Sequence, residues 1–238
     1  MDKLKKAAEK LGIFLTSHQL DQFETFYHEL TDWNERINLT GITDYEEVQI
    51  KHFLDSLTIA SAIKNIKKNL KLADIGTGAG LPGIPLKIVF QDIELTLIES
   101  TVKKARFLEH LTARLRLKNV EIMEERSETT AHDARYREKF DIVLSRAVAP
   151  LPALVELMLP FCGIGGGCIA QKKGDITEEV GKSKKAIKVM GGDLREIKRV
   201  EFKGLSDDRW LIIIDKLLPT PPNYPRRPGM PEKRPVIF

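Results

Sequence analysis

Residues 72–83 read Leu-Ala-Asp-Ile-Gly-Thr-Gly-Ala-Gly-Leu-Pro-Gly, and no other stretch restricts the fold as much. Leu72, Ala73 and Ile75 have the apolar character of a buried strand end. Gly76, Gly78 and Gly80 then make a turn with almost no side-chain bulk, where the main chain bends sharply and a ligand can approach it closely. Pro82 and Pro85 suit the first turn of a helix, where a missing N–H costs nothing. The unit is strand, glycine loop, helix, the opening of an α/β domain that holds a nucleotide-like cofactor.

The loop alone does not choose the cofactor. Asp74, two residues before the first glycine, stands where S-adenosylmethionine sites carry a carboxylate facing the amino-acid part of the cofactor. Gly78-Ala-Gly80-Leu-Pro-Gly83 also satisfies the dinucleotide fingerprint G-x-G-x-x-G. An ordinary glycine turn is the bland alternative.

The order of elements beyond the loop narrows the choice. Strand patterns fall at 70–75, 94–99, 120–124, 140–145 and 166–171, with helical patterns at 83–90, 102–117, 128–137, 152–161 and 176–190 between them. That alternation implies βαβ units and a parallel sheet. Residues 193–202 and 209–217 then read as two strands with no helix between them. A five-strand parallel sheet finished by an antiparallel strand pair is the pattern of a class I methyltransferase; a dehydrogenase more often adds a sixth parallel strand. The expected architecture is therefore a Rossmann-like, mostly parallel seven-stranded sheet with an antiparallel last strand.

Residues 1–69 form a helical extension ahead of it. Ser17 is a candidate N-cap, and Leu20, Phe23, Phe26, Leu30, Trp33 and Ile37 recur every three or four positions after it. Thr43-Asp-Tyr-Glu46 reads as a capping box for a second helix running towards Ile63. Three segments result: a helical cap (1–69), a methyltransferase domain (70–218) and a tail (219–238). The 238 residues carry a net charge of +4, spread as −2 over residues 1–70, +3 over 71–218 and +3 over the tail. The tail also holds seven of the 12 prolines, and reads as an extended basic arm kept out of helix and sheet. Arg226, Arg227, Lys233 and Arg234 suit phosphate contacts there, and Tyr224 can stack on a base.

Several classes are disfavoured. No apolar run approaches the ~18 residues that span a bilayer, and the basic N-terminus lacks an apolar signal core; a cytoplasmic protein is expected. The two cysteines, Cys162 and Cys168, lie in apolar or glycine-rich sequence and read as buried thiols. The five histidines show no metal-ligand spacing, so no metal is expected.

Ligands of such sheets sit at the carboxyl ends of the strands. Strand 2 ends in Glu99, an acid placed to accept from both ribose hydroxyls, with Ser100 and Thr101 on the same rim. Strand 3 ends near Arg126-Ser127-Glu128, where a carboxylate or main-chain pair can reach an adenine amino group, or where Ser127 simply caps a helix. Strand 4 ends in Ser145-Arg-Ala-Val-Ala-Pro150. That rim lacks the Asn/Asp-Pro-Pro-aromatic motif of exocyclic-amine methylation and a cysteine nucleophile for pyrimidine C5. The substrate atom is then one that is already nucleophilic, and guanine N7 fits. Arg146 can pair with a cofactor carboxylate, guanine O6 or a phosphate, or form a structural ion pair with Asp74 or Glu99.

Taken together, the chain closely resembles the RsmG (GidB) family of bacterial small-subunit rRNA guanine-N7 methyltransferases. The resemblance rests on Trp33-Asn-Glu-Arg-Ile-Asn-Leu-Thr40, Lys51-His-Phe-Leu-Asp-Ser56, residues 74–83, Arg126-Ser-Glu128, Ser145-Arg-Ala-Val148 and the Tyr-Pro-Arg-Arg-Pro-Gly-Met-Pro tail. It implies S-adenosylmethionine as donor and a guanosine in the 530 loop of 16S rRNA as substrate. It implies cofactor contacts at Gly76, Leu81, Glu99, Ser100, Thr101, Ser127, Glu128 and Arg146; Gly78, in the same glycine turn, is a further candidate contact, and Arg146 is the candidate catalytic residue. Leu81 and Ser127 stand where the family often has Phe and Ala. Ala170-Gln-Lys-Lys-Gly174 matches a Lys-Gly region, which turns Lys172 or Lys173 towards RNA. A monomer acting on the small ribosomal subunit is expected. A nicotinamide-dependent oxidoreductase and a non-catalytic RNA-binding assembly protein are the competing readings.

Overall fold

A computed structural model describes residues 1–63, 65–201 and 208–237. Seven strands form one sheet in the order β3-β2-β1-β4-β5-β7-β6. They are β1 (Lys71–Ile75), β2 (Glu94–Ile98), β3 (Val120–Met123), β4 (Phe140–Arg146), β5 (Cys162–Lys173), β6 (Gly192–Val200) and β7 (Arg209–Lys216). β1 to β5 are parallel, and β7 runs antiparallel between β5 and β6. The sequence reading is borne out in its strands and in the reversed last strand. Its strand 193–202 ends on Phe202, which lies outside the described residues.

Strand residues alternate between two apolar layers, as the two-residue period of a pleated strand requires. Leu72, Leu144, Ile169, Leu211 and Ile213 join one core cluster; Ala73, Val143, Cys168, Ile212 and Ile214 join the other. The first layer also takes α1 (Asp2–Lys10), α2 (Ser17–Ile37), α5 (Gly83–Val89) and α6 (Val102–Arg114). The second takes α8 (Leu151–Met158) and α9 (Thr177–Val189). The N-terminal helices thus share a core with the sheet.

Between them the chain runs through α3 (Tyr45–Val48), a π-helix (Gln49–Leu54), α4 (Asp55–Leu57) and a 3-10 turn (Thr58–Ala62). Phe53 anchors this segment, with its ring centroid 5.1 Å from Phe23 and 5.0 Å from Phe26. Two caps differ from expectation. Thr16, not Ser17, caps α2 through a capping box with Gln19. Asp44, not Thr43, caps α3, its carboxylate accepting from the N–H groups of Glu46 and Glu47.

The helix expected over 128–137 is only α7 (Ser127–Thr130), with Arg126 rather than Ser127 at the N-cap position and no side chain capping it. Beyond it, the Arg137 guanidinium donates to the carbonyls of Ala131, Thr220, Pro221 and Tyr224, tying the turns after α7 to the tail. The tail is no free arm. Arg226 forms a two-pronged ion pair with the fully buried Glu156 of α8, and a last helix, α10 (Met230–Lys233), follows.

Candidate active site

Parallel pairing brings the carboxyl ends of β1 to β5 to one rim. Beyond β1, Gly76, Gly78 and Gly80 take φ values of +66°, +60° and +81°, the left-handed region that a Cβ disfavours. Gly76 and Thr77 donate to the carbonyl of Ile98 at 2.9 and 3.2 Å, pinning the loop to β2. Asp74 is fully buried beneath it. Its Oδ2 accepts from the Thr77 hydroxyl at 2.7 Å and from the Gly83 N–H at 2.8 Å. Asp74 therefore braces the loop against the start of α5. Its Oδ1 is buried without a partner. Burial pushes the carboxyl up to about 6, against the two hydrogen bonds and the charge of Arg146.

Glu99 completes the loop from the side. Its Oε2 accepts from the Gly78 N–H at 3.1 Å and its Oε1 from the Thr101 N–H at 2.7 Å. A Cβ on Gly78 would meet nothing nearer than 4.0 Å, so the main chain there faces open space. Ser100 and Thr101 are exposed on the same rim. Leu81 is buried in the first core cluster, where its side chain packs the loop. At the end of β3, Ser127 donates to Glu128 at 3.3 Å, and Glu128 accepts from the Gly229 N–H at 2.9 Å. That carboxylate, read from the sequence as an adenine contact, here ties the rim to the tail.

Next to the loop, over the ends of β4 and β5, lies a cavity of about 520 Å³. Val148 joins the two: a Cβ on Gly76 would come within 2.5 Å of its Cγ2. The positive φ of 57° at Ala147 turns the chain so that Val148 sits there. The cavity is lined by five cations, Lys51, Arg146, Lys172, Lys173 and Arg209, and by His52, Asp55 and Gln171 among others. A larger cavity of about 650 Å³ opens at the opposite end of the sheet, around Gly163–Gly167, away from the loop.

Arg146 donates to Asp55 at 3.1 Å, and not to Asp74 or Glu99. Lys172 donates to Glu179 and to the Ala149 carbonyl, both at 2.6 Å. Lys173 is exposed. His52 is held well below its ordinary value, at about 4, by burial and by the charge of Arg146. His52, Asp55, Gln171 and Arg209 were not singled out by position in the sequence. The signals for three of them were the family stretches Lys51–Ser56, which holds His52 and Asp55, and Ala170–Gly174, which holds Gln171; the π-helix sets the directions of Lys51 and His52.

The Arg226 guanidinium, expected to meet phosphate, is paired here with the buried Glu156. Arg227 and Lys233 are exposed. Cys162 and Cys168 are both fully buried, and burial with its neighbour Cys162 raises the Cys168 thiol further.

Residues 19–207 match the family described as rRNA small subunit methyltransferase G, GidB. The chain belongs to this family. Among methyltransferase G relatives, the protein of Dehalococcoides mccartyi strain BAV1 is 53% identical over 237 residues, covering 100% of both chains. That of Bacillus thuringiensis strain Al Hakam is 42% identical over 236 residues, covering 99% of this chain and 98% of its own. Solved structures share the fold at low identity. Precorrin-6y C5,15-methyltransferase from Geobacter metallireducens matches with a TM-score of 0.53 at 14% identity, over 68% of this chain and 88% of its own. Fibrillarin from Methanococcus jannaschii, a pre-rRNA processing protein, matches at 0.54 and 16%, over 69% and 76%. A variant of MtNAS solved with S-adenosylmethionine matches at 0.57 and 13%, over 90% and 77%.

As a methyltransferase G, the chain belongs among small-subunit rRNA methyltransferases; S-adenosylmethionine is the donor expected from the sequence, and the ligand of the MtNAS variant that shares the fold. The rim of this chain fits that donor: the main chain at Gly78 is open, Glu99 lies beside it, and the unpartnered Asp74 Oδ1 lies beneath. The third glycine of the dinucleotide fingerprint, Gly83, opens α5, where a Cβ would meet Asp74 Oδ2 and Leu97 at 2.9 Å, a close packing of helix on sheet that does not distinguish the two cofactor classes. The family match sets the oxidoreductase reading aside.

Proposed function

We propose that this methyltransferase transfers the methyl group to N7 of a guanosine in the 530 loop of 16S rRNA. The character of the cavity wall carries the reading. The wall offers cations and amide groups, its carboxylates are paired with Arg146, Arg209 and Lys172, and its imidazole is too weak a base to take a proton at neutral pH. The two thiols are buried within β5. An acceptor atom in this cavity must bring its own lone pair, and guanine N7 has one free at neutral pH.

S-adenosylmethionine supplies an electrophilic methyl on a positive sulfur. The backbone of Gly76 and Gly78 and the carboxylate of Glu99 would hold the donor, with Glu99 as the acceptor for its hydroxyls. Ser100, Thr101, Ser127 and Glu128 border the same rim. Arg146, at the seam between loop and cavity, donates to guanine O6 or to the donor carboxylate. Position and electrostatics then suffice for the displacement, with no general base and no covalent intermediate. Lys172, Lys173, Arg227 and Lys233 meet RNA phosphates. The reading carries with it a cytoplasmic protein that acts as a monomer; no helix among the described residues is long and apolar enough to cross a membrane.

The test is transfer of labelled methyl from S-adenosylmethionine to 16S rRNA, naked and within the small subunit, followed by digestion to nucleosides. Label recovered as 7-methylguanosine is the expected result. Label on another nucleoside would refute the choice of base. RNA binding with no transfer to either substrate would favour the non-catalytic assembly reading.

A further inference from the structure

Asp55 belongs to the N-terminal helices, yet groups from three strands converge on it. Arg146 of β4 donates to its Oδ2 at 3.1 Å, and Arg209 of β7 lies 3.4 Å from its Oδ1. Gln171 of β5 donates to Oδ1 at 2.9 Å and to the main-chain carbonyl at 2.8 Å. Asp55 is only 3% exposed, so these contacts form largely away from water, where a misplaced charge costs most. Three residues earlier, His52 Nδ1 lies 3.5 Å from Arg146 Nη2, and its Nε2 lies 2.7 Å from the Thr40 hydroxyl.

Two features show that the arrangement is maintained at a cost. The amide of Gln171 points its nitrogen at Asp55 and leaves its own oxygen buried without a partner. His52 and the approach to Asp55 lie on a π-helix, a rare geometry that recurs at functional sites. With it, Lys51, His52 and Asp55 all reach the cavity wall.

We infer that Asp55 is the positioning residue of the active site. It fixes the Arg146 guanidinium against the reacting base and offsets the two guanidinium charges there. The inference rests on the reading of the cavity as the site of methyl transfer. In that step the C–S bond breaks with its electron pair left on sulfur, and the N7 lone pair forms the new N–C bond. Positive charge therefore moves from sulfur to the base. A base turning cationic beside Arg146 and Arg209 would be repelled, and the carboxylate between the two guanidiniums counters that repulsion. The N-terminal helices thus contribute to the chemistry as well as to the core.

The experiment measures methyl transfer from labelled S-adenosylmethionine to small subunits lacking the modification. It compares Asp55→Asn, Asp55→Asn with Arg209→Gln, and Gln171→Met. Asp55→Asn is expected to lower kcat about a hundredfold, while KM for the donor changes less than about threefold. The double variant, which removes one cation together with the carboxylate charge, is expected to recover about tenfold in kcat. Gln171→Met, which leaves every charge in place, is expected to lower kcat about tenfold. Unchanged kcat in Gln171→Met would overturn the proposal, and so would a double variant no faster than Asp55→Asn. Should Asp55→Asn not fold, the Gln171→Met result decides alone. Label is counted whatever atom carries it, so the outcome is independent of the N7 assignment, which the nucleoside digest of the wild-type product tests separately.

Discussion

Val148 Cγ2 occupies the position from which a Cβ on Gly76 would be only 2.5 Å away. The donor loop and the substrate cavity are therefore one packed unit, with Val148 as the shared wall. Gly76→Ala is expected to lower the affinity for S-adenosylmethionine at least about tenfold, because φ of +66° and the contact with Val148 both resist a methyl group. Adding Val148→Ala removes the contact and leaves the backbone strain, so part of the affinity returns. Calorimetric titration with the donor checks both. Equal affinities in Gly76→Ala and wild type would contradict the shared wall.

Glu99 accepts from two main-chain N–H groups, one of them in the loop. Glu99→Gln replaces an acceptor with a donor that faces those N–H groups. Kd for S-adenosylmethionine is expected to rise roughly ten- to hundredfold, the cost of losing hydrogen bonds to a charged acceptor. At saturating donor, kcat should change little, which separates Glu99 from the groups that face the substrate.

Arg226 grips the buried Glu156 through Nε at 2.9 Å and Nη2 at 2.6 Å. Arg226→Ala leaves that carboxylate buried and unpaired, and is expected to destabilise the fold by about 3 kcal/mol. The exposed Arg227→Ala is expected to stay within about 0.5 kcal/mol of wild type in stability. Denaturant unfolding of the two variants measures the contrast. Equal stabilities would mean that Arg226 is as free as the sequence alone suggested.

The folded His52 holds its proton only below about 4, whereas the unfolded chain takes one near 6.5. Between those values the unfolded state binds more protons, so this group makes stability rise with pH. Asp74 works in the opposite sense. Its folded carboxyl is raised from 3.8 to about 6, so its penalty on folding is relieved as pH falls through that window. The two partly cancel in the wild-type curve. Subtracting the curve of His52→Gln isolates His52, and the difference is expected to grow by roughly 3 kcal/mol from pH 4 to 6.5. A flat difference would show that burial, together with the charges of Arg146, Arg209 and Lys51, does not hold the imidazole neutral.

The strands were legible because their two-residue period survives in sequence: Leu211 to Ile214 send alternate side chains to the two cores. The loop residues Gly76 and Gly78 and the acid Glu99 were legible because strand ends are read in order. Asp74 was legible at the strand end, but its bracing of the loop was not, since only the fold shows Gly83 and Thr77 closing on it. Asp55 lay within the family stretch Lys51–Ser56, but its role could not be read. Its partners Arg146, Gln171 and Arg209 are 91, 116 and 154 positions away, and a π-helix shifts its facing relative to any α-helical period. The tail misled for a similar reason. Composition shows its prolines and charges, but not the buried Glu156 that takes up Arg226.

The most direct test of the account is chemical mapping of 16S rRNA in small subunits treated with the protein and S-adenosylmethionine. Borohydride reduction followed by aniline cuts RNA chains at 7-methylguanosine, and primer extension reads the position of the cut. One new donor-dependent stop is expected, at a guanosine in the 530 loop, weakened with Gly76→Ala at limiting donor. Methyl incorporation without any aniline cut would contradict it, since the methyl group would then lie on an atom other than N7.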